Sequence, residues 1–395
     1  MSNHLKKTVG EKKGIGQAYY KLAEEIVSAY VFLILVIYPF YFKDKYFNIG
    51  NAKWNFFLLL TFGAGAVLAV CTIWYLAYLA RAHELKASIQ NMRLSLPDRF
   101  VFLYFVIAVL STLCSPYKNQ VIWGTDGWNM GIIAQICFIL IYYFVSRYWK
   151  WDNSAIAIYL AAAFGVFLLA VMMRFRIDPL KMYQDLDEQY IINFLTTIGQ
   201  TTWYSSYVVL LFPLGMFAFW YYDNKQKRIP AGIFTSIGFM TIITQNSDSI
   251  FVALGIMIFL LFWFSLESNK RFKRFLEVMM VCFMSFKFMG ICQLRFPTRA
   301  VLPEDWFIFF SQGNLTWGLL AGTIIVYCCF CQIEKKKNIN IAKIKISRVI
   351  LLVALLVGVA LTGIYIYLNT TGKLPENNRS NSNYLLFDEY WGNNR

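Results

Sequence analysis

Apolar runs separated by short polar segments extend along almost the whole chain. Eleven such runs lie at about 26–42, 55–80, 100–114, 129–146, 155–173, 203–222, 231–245, 250–266, 276–293, 314–333 and 349–368. A helix needs roughly 20 apolar residues to cross the hydrocarbon core of a bilayer. Transmembrane β-strands would show short alternating segments instead, and no such alternation persists here. The pattern therefore predicts an all-α, polytopic integral membrane bundle of about eleven transmembrane helices.

The composition agrees with this class. The chain has 395 residues, of which 58% are hydrophobic and 15% are charged, whereas charged residues make up about 25% of a typical soluble protein. The first apolar run is followed by Lys43, Asp44 and Lys45 and shows no small-residue cleavage pattern. We therefore interpret this run as a retained span and not as a removable signal peptide.

The charge of the loops predicts their sidedness. With the N-terminus in the cytoplasm, the cytoplasmic segments hold 24 of the 37 lysines and arginines, and the outer segments hold 12. This bias follows the positive-inside rule and places the C-terminus outside. The chain then divides into a basic cytoplasmic N-terminus (1–25), a transmembrane helical domain (26–368) and the start of an extracytoplasmic loop (369–395).

The net charge of +15 raises the question of a nucleic-acid partner. The basic residues lie in short loops between apolar runs, where topology and contact with anionic lipid explain them better. We therefore expect membrane lipid, and not nucleic acid, as a partner.

Few residues of the cytoplasmic half suggest chemistry. Both histidines, His4 and His83, fall on the predicted cytoplasmic side, and the eight cysteines lie in or at the edges of apolar runs. The cysteines form neither a disulfide framework nor a metal-site pattern, and no phosphate-binding loop or nucleophile motif is present. We expect no metal and no cofactor, and we look for function on the outer face.

The outer segment 174–202 carries the first candidates, Arg174 and Arg176. A planar guanidinium binds phosphate through paired hydrogen bonds, but arginines at a helix end also extend towards the interface without binding a ligand. The apolar residues of the same segment suggest a helix along the membrane surface.

Two further polar positions interrupt the apolar pattern. Asp248 lies in a very short linker between two apolar runs and is expected to face a water-filled cavity. The alternative is a turn in which asparagine and serine side chains form hydrogen bonds with backbone groups. Lys287 lies within an apolar run, where a charged residue suggests function, although its side chain is near enough to the outer end to reach the interface.

The order of four outer motifs resembles the O-antigen ligase/polymerase family of bacterial membrane proteins. The motifs are GTDGWNMG, NFLTTIGQTTWYSSYVVLLFPLG, TIITQNSDSIFVALGIMI and the closing YLLFDEYWGNNR. Each motif is degenerate, so the resemblance rests on their order, spacing and shared sidedness.

The resemblance implies a multi-pass protein of the bacterial plasma membrane that acts in capsule or cell-surface polysaccharide biosynthesis. A polyprenyl-diphosphate-linked saccharide would be transferred to the hydroxyl of an acceptor glycan or lipid on the outer face. The reaction would be metal-independent, and arginines would neutralise the leaving diphosphate. Arg395, Arg174, Arg176 and Asp248 are then the expected substrate-binding residues.

The resemblance also implies that members of the family extend beyond the position at which this sequence ends. Trp391-Gly392-Asn393-Asn394-Arg395 matches the opening of the family's large outer loop, whose later part carries the histidine usually assigned as the base. We therefore expect the sequence to be a piece of a longer protein, and no catalytic residue is assigned within it. Many relatives carry arginines at the position of Asp248 and near Trp128, and this chain departs from that pattern.

Two other functions fit a helical membrane protein. A transporter or flippase of lipid-linked oligosaccharide would show internal repeats and broken spans, and only Pro39 and Pro213 interrupt spans here. A non-catalytic membrane subunit is the third alternative. The sequence leaves open the sugar, the acceptor, the choice between polymerase and ligase, and the oligomeric state.

Overall fold

The computed structural model describes residues 2–90, 95–125 and 127–337. In these ranges the regular secondary structure is helical apart from one hairpin, whose two strands have two residues each. The helices are α1 (Ser2–Phe32), α2 (Ile49–Arg81), α3 (Leu85–Gln90), α4 (Leu96–Cys114), α5 (Lys118–Trp123), α6 (Ile132–Tyr148), α7 (Asn153–Met173), α8 (Thr201–Tyr221), α9 (Lys225–Ile242), α10 (Ser249–Ser265), α11 (Asn269–Arg295), α12 (Asp305–Gln312) and α13 (Asn314–Lys337). After α1, the chain continues as a π-helical stretch, Leu33–Ile37, and a 3-10 turn, Tyr38–Phe40.

The helices confirm the membrane class. Within the described part of the chain, seven helices are long and apolar enough to cross a bilayer: Gly14–Phe40, Ile49–Arg81, Leu96–Cys114, Asn153–Met173, Thr201–Tyr221, Asn269–Arg295 and Asn314–Lys336. Ile132–Tyr148 and Ser249–Ser265 are shorter apolar helices. Large apolar side chains such as Leu59, Val70 and Phe102 are more than 60% exposed, as expected for surfaces that contact lipid. The run 349–368 and the loop 369–395 lie outside the described residues, and the count of eleven spans stays a prediction.

The segment between α7 and α8 is irregular, and the interfacial helix expected there does not form. It contains a 3-10 helix, Glu188–Asn193, and the strands β1 (Phe194–Leu195) and β2 (Gly199–Gln200), which pair antiparallel. Left-handed backbone conformations at Arg176, Lys181 and Asp185 interrupt regular helix before this point.

Several helices begin with polar caps at the predicted cytoplasmic end. At the start of α4, the side chains of Ser95 and Asp98 each accept a hydrogen bond from the other residue's backbone amide. At the start of α7, the Asp152 carboxylate accepts hydrogen bonds from the backbone amides of Ser154 and Ala155. These side chains satisfy amide groups that have no partner within the helix. Asp98 also accepts hydrogen bonds from Tyr142 (2.9 Å) and Arg147 (2.7 Å), which join α4 to α6.

The chain divides into two compact units. The larger contains residues up to 257 together with 277–324. Its core includes Phe167, Tyr204, Phe212 and Phe239, all fully buried. Helices α8 and α9 pack closely as a helical hairpin within it, because the rings of Phe212 and Phe234 occupy spaces that glycines leave on the facing helix.

The smaller unit contains, of the described residues, 258–276 and 325–337. Within its described part, Phe262 packs on Phe275 with ring centroids 5.0 Å apart, and Phe272 packs on Phe330 at 5.1 Å. Lys273 and Glu334 form an ion pair at 2.8 Å.

Candidate functional site at the predicted outer end

Loops that are far apart in the sequence meet at one end of the larger unit. The Val301 amide donates to the Arg174 carbonyl at 2.9 Å, and the Glu304 amide donates to Asn246 Oδ1 at 2.7 Å. The Tyr46 hydroxyl donates to the Thr196 carbonyl at 2.8 Å. All of these residues belong to segments that the sequence assigns to the outer face.

Arg174 lies at the centre of this end and is 2% exposed. Its guanidinium donates to the carbonyls of Thr244 (2.8 Å), Ile191 (3.2 Å), Ile192 (2.9 Å) and Gln245 (3.5 Å). The fork-shaped guanidinium thus joins the end of α9 to the 3-10 helix before β1. This geometry gives Arg174 a positioning role, while contact with a substrate stays a prediction.

Two tyrosines surround the backbone near Arg174. Tyr46 is buried, and the Tyr183 hydroxyl donates to the Phe194 carbonyl at 3.1 Å. Burial raises the pKa of Tyr183 to about 12 and also raises the pKa of Tyr46. Both hydroxyls therefore remain protonated at neutral pH and act as hydrogen-bond donors.

Of the two predicted arginines in the segment 174–202, Arg176 is the more accessible, with a side chain that is 42% exposed. It forms a two-pronged ion pair with Glu188, in which Arg176 Nη1 lies 3.1 Å from Glu188 Oε2. The hydrogen bonds from Arg176 lower the pKa of Glu188. Arg176 therefore faces solvent, with one carboxylate as its partner.

Asp248 is exposed at the start of α10. Next to it, Gln245 is fully buried and accepts a 2.6 Å hydrogen bond from Ser205. Asp248 lies near Glu304, whose pKa is raised by burial and then by the charges of Asp248 and Asp305. The structure thus places Asp248 on an acidic part of the outer end, and its predicted role in substrate binding stays untested.

Lys287 is 4% exposed, and its ammonium group donates to the carbonyls of Gln312 and Gly313, both at 3.0 Å. These carbonyls end α12, where the helix dipole is negative. The side chain therefore turns towards a helix terminus inside the protein. Arg395 lies outside the described residues.

Sequence reasoning missed Lys53 in the first turns of α2. It is 6% exposed and donates to the carbonyls of Tyr38 (2.9 Å) and Pro39 (3.3 Å), which end the first span. Thr197 donates to the same Pro39 carbonyl at 2.7 Å. The sequence did contain a signal for this residue. Lys53 precedes an apolar run, and no aspartate or glutamate lies within two helical turns of it to serve as a partner.

The GTDGWNMG loop is tightly closed on itself. Gly124 has φ +92°, and a Cβ there would collide with the backbone at Asn129 and Met130, while a Cβ at Gly131 would collide with Ile122 and Gly124. Only glycine fits such positions. The close approach fixes the backbone that adjoins Trp123.

The same loop lies beside the other predicted motifs. A Cβ at Gly50 would lie 3.7 Å from the Trp203 ring and 3.9 Å from the Gly127 carbonyl oxygen. Trp203 follows the β1–β2 hairpin, and Ser205, two residues further along the same motif, donates a hydrogen bond to Gln245 of the third motif. Three of the four motifs therefore come together at this end of the larger unit.

No group of three metal-ligating side chains is close enough to hold a metal ion among residues 2–90, 95–125 and 127–337. The arrangement instead offers an exposed guanidinium, a rigid aromatic loop and buried cations that fix backbone segments. Comparison with known family models, curated proteins and solved structures finds no match.

Proposed function

We propose that this protein is a bacterial plasma-membrane enzyme of the O-antigen ligase/polymerase type. It would transfer a polyprenyl-diphosphate-linked saccharide to an acceptor hydroxyl on the outer face, in the synthesis of a capsule or another cell-surface polysaccharide. The observation that carries the proposal is the convergence of the GTDGWNMG loop, the segment around Trp203 and the turn at Gln245 at one end of the larger unit. Motifs that share a site must meet in this way.

The topology proposed with this function has eleven spans and a cytoplasmic N-terminus. Contacts within the larger unit support it, because they join loops assigned to the same face. Lys150 pairs with Glu24, and Arg147 pairs with Asp98, at the predicted inner end. At the predicted outer end Lys45 pairs with Asp185 at 3.0 Å.

The chemistry assigns different roles to the arginines. In the transfer, the acceptor oxygen bonds to the anomeric carbon, the bond from that carbon to the diphosphate breaks, and the electron pair leaves with the diphosphate. Arg176 and Arg395 would neutralise the developing charge. Arg174 would hold the surrounding backbone in place through its four carbonyl contacts. The proton of the acceptor would pass to a base outside the residues assigned here.

The proposal is tested in a host strain that lacks the gene and is complemented with the full-length protein. We expect Arg395→Ala to abolish the polymer ladder on a gel without lowering the amount of protein in the membrane. Arg379→Ala, in the same tail, is the matched control and should leave the ladder unchanged. Retained polymer in the Arg395 variant would remove this residue from the mechanism.

A transport assay separates the enzyme from its main rival. Proteoliposomes that contain the purified protein and a fluorescent lipid-linked oligosaccharide would report flipping as an increase in the label accessible to a reducing quencher. We expect no such increase above protein-free vesicles, together with release of polyprenyl diphosphate when an acceptor is added. Flipping without release would replace the enzyme by a transporter.

A further inference from the structure

A groove beside the GTDGWNMG loop is made of aromatic and amide side chains. It has a volume of about 680 Å³ and is lined by Tyr117, Asn119, Gln120, Trp123 and Thr125 together with Lys118 and Gly124. We propose that this groove, named here the α5 groove, binds a neutral saccharide unit. The inference rests on the proposed function, because it assigns the sugar part of the substrate to a place on the same outer end.

The aromatic side chains of the groove suit the faces of sugar rings. Trp123 is 53% exposed and Tyr117 is 68% exposed, one at each end of the short helix α5. A pyranose ring presents a face of C–H groups, whose positive edges are attracted to the negative face of an indole or phenol ring. Stacking of this kind does not depend on charge.

The polar side chains of the groove suit sugar hydroxyls. Asn119 and Gln120 each carry an acceptor oxygen and two N–H donors, and Thr125 carries a hydroxyl that both donates and accepts. Asn119, Gln120 and Thr125 are exposed in the structure. Ligand sites commonly combine aromatic walls with a few polar groups that fix orientation.

The one cation in the lining argues against an anionic ligand. Lys118 donates to the carbonyls of Leu113 (2.7 Å) and Thr112 (3.4 Å) at the end of α4. Its ammonium group is thus directed to a helix terminus, where it is stabilised by the dipole. The groove therefore favours an uncharged, hydroxyl-rich ligand over a diphosphate.

The groove is also held rigid before a ligand arrives. Gly124 and Gly131 meet backbone to backbone, and the amides of Trp128 and Asn129 both donate to the Thr125 carbonyl at 3.0 Å. A binding side chain whose backbone is fixed in advance loses less conformational entropy on binding.

Binding of free saccharides tests the groove without relying on transfer. The purified full-length protein in nanodiscs would be presented with biotinylated neutral hexose and N-acetylhexosamine tetrasaccharides, and binding would be followed by interferometry. We expect Trp123→Ala and the double variant Asn119→Ala/Gln120→Ala to weaken binding at least tenfold, and Trp123→Phe to retain most of it. Trp128→Ala is the matched control, because Trp128 is exposed on the same loop but does not line the groove.

The outcomes distinguish the groove from the proposed function. One outcome is that the unaltered protein binds the saccharide, Trp123→Ala abolishes this binding, and no transfer activity is found. This outcome would support the groove and overturn the enzyme. No binding of any probe by the unaltered protein, or equal binding by Trp123→Ala, would overturn the groove whatever the transfer activity. Stronger quenching of the unaltered protein than of Trp123→Phe by brominated lipids would also overturn it, because Trp123 would then be an anchor in the bilayer.

A competition arm identifies the source of the sugar. Displacement of the free tetrasaccharide by the same sugar on polyprenyl diphosphate would place the donor saccharide in the groove. Unchanged binding in its presence would place the acceptor glycan there. Both results support a saccharide site.

Discussion

Three cations near the predicted outer end are buried, and their described hydrogen bonds go to backbone carbonyls. Lys53, Arg174 and Lys287 each donate to carbonyls where a helix or helical turn ends. Such carbonyls lack partners within their own helix and carry the negative end of its dipole. Each cation therefore acts as a cap supplied by a distant part of the chain.

We predict that Arg174→Leu lowers the free energy of unfolding by on the order of 3 kcal/mol, because it leaves several buried carbonyls without donors. Arg174→Lys should have an intermediate effect, since one ammonium cannot reach both loops as a fork does. Thermal unfolding in detergent, followed by tryptophan fluorescence, measures the difference. Arg176→Leu is the control, because an exposed ion pair contributes little to stability.

An equal loss of stability in the Arg174 and Arg176 variants would contradict the capping role of Arg174. Unchanged stability of Arg174→Leu combined with lost polymer would instead favour direct contact with the diphosphate. The two roles thus give opposite combinations of stability and activity.

The sequence predicted Arg174 as a candidate but not its partners. Its donors reach Thr244 and Gln245, about 70 positions further along the chain. No local pattern encodes such a contact, because it arises only when α7 and α9 pack side by side. Arg176 differs, since its partner Glu188 lies in the same loop, 12 positions further along the chain.

At the scale of elements, the contact between α8 and α9 depends on two glycines that face phenylalanines. Gly215 accommodates the Phe234 ring, and Gly238 accommodates the Phe212 ring. Because the hydrophobic effect does not drive helices together within lipid, close packing at small residues is a main contribution to helix association there.

We predict that Gly238→Ala destabilises the protein by about 1–3 kcal/mol, because the added methyl group overlaps the Phe212 ring in a packed core. Gly238→Ala combined with Phe212→Leu should recover part of the loss. Thermal unfolding measures both variants. Gly63→Ala on α2 is the matched control, since a Cβ at Gly63 meets nothing within 4 Å. No difference between the two single variants would refute this account of the helix pair.

The long helices were predictable from the sequence, while the elements between them were not. The predicted runs 203–222 and 231–245 overlap Thr201–Tyr221 and Lys225–Ile242, because apolar length alone marks a span. Helix α12 and the hairpin β1–β2 are short, and their formation depends on contacts with other loops, such as that of Glu304 with Asn246. Periodicity carries no signal for such elements.

At the scale of the whole molecule, the contacts of the larger unit separate into two ends. Arg228, in the first turns of α9, pairs with Glu277 at one end, whereas Arg174 and Thr244 meet at the other. The charge bias assigns the first end to the cytoplasm. Every proposal made for the outer end depends on this assignment.

Cysteine labelling of intact cells tests the assignment directly. In a background without native cysteines, Thr298→Cys would report the predicted outer end and Ser88→Cys the predicted inner end; both residues are exposed. We expect a membrane-impermeant maleimide to label Thr298→Cys in intact cells and Ser88→Cys only after lysis, with the cysteine-free protein as the unlabelled control. The reverse pattern would place Arg176 and the α5 groove in the cytoplasm, away from glycans presented outside. Because a lipid-linked saccharide and its acceptor must reach the same end of the protein, that result would exclude both the proposed transfer and the saccharide groove.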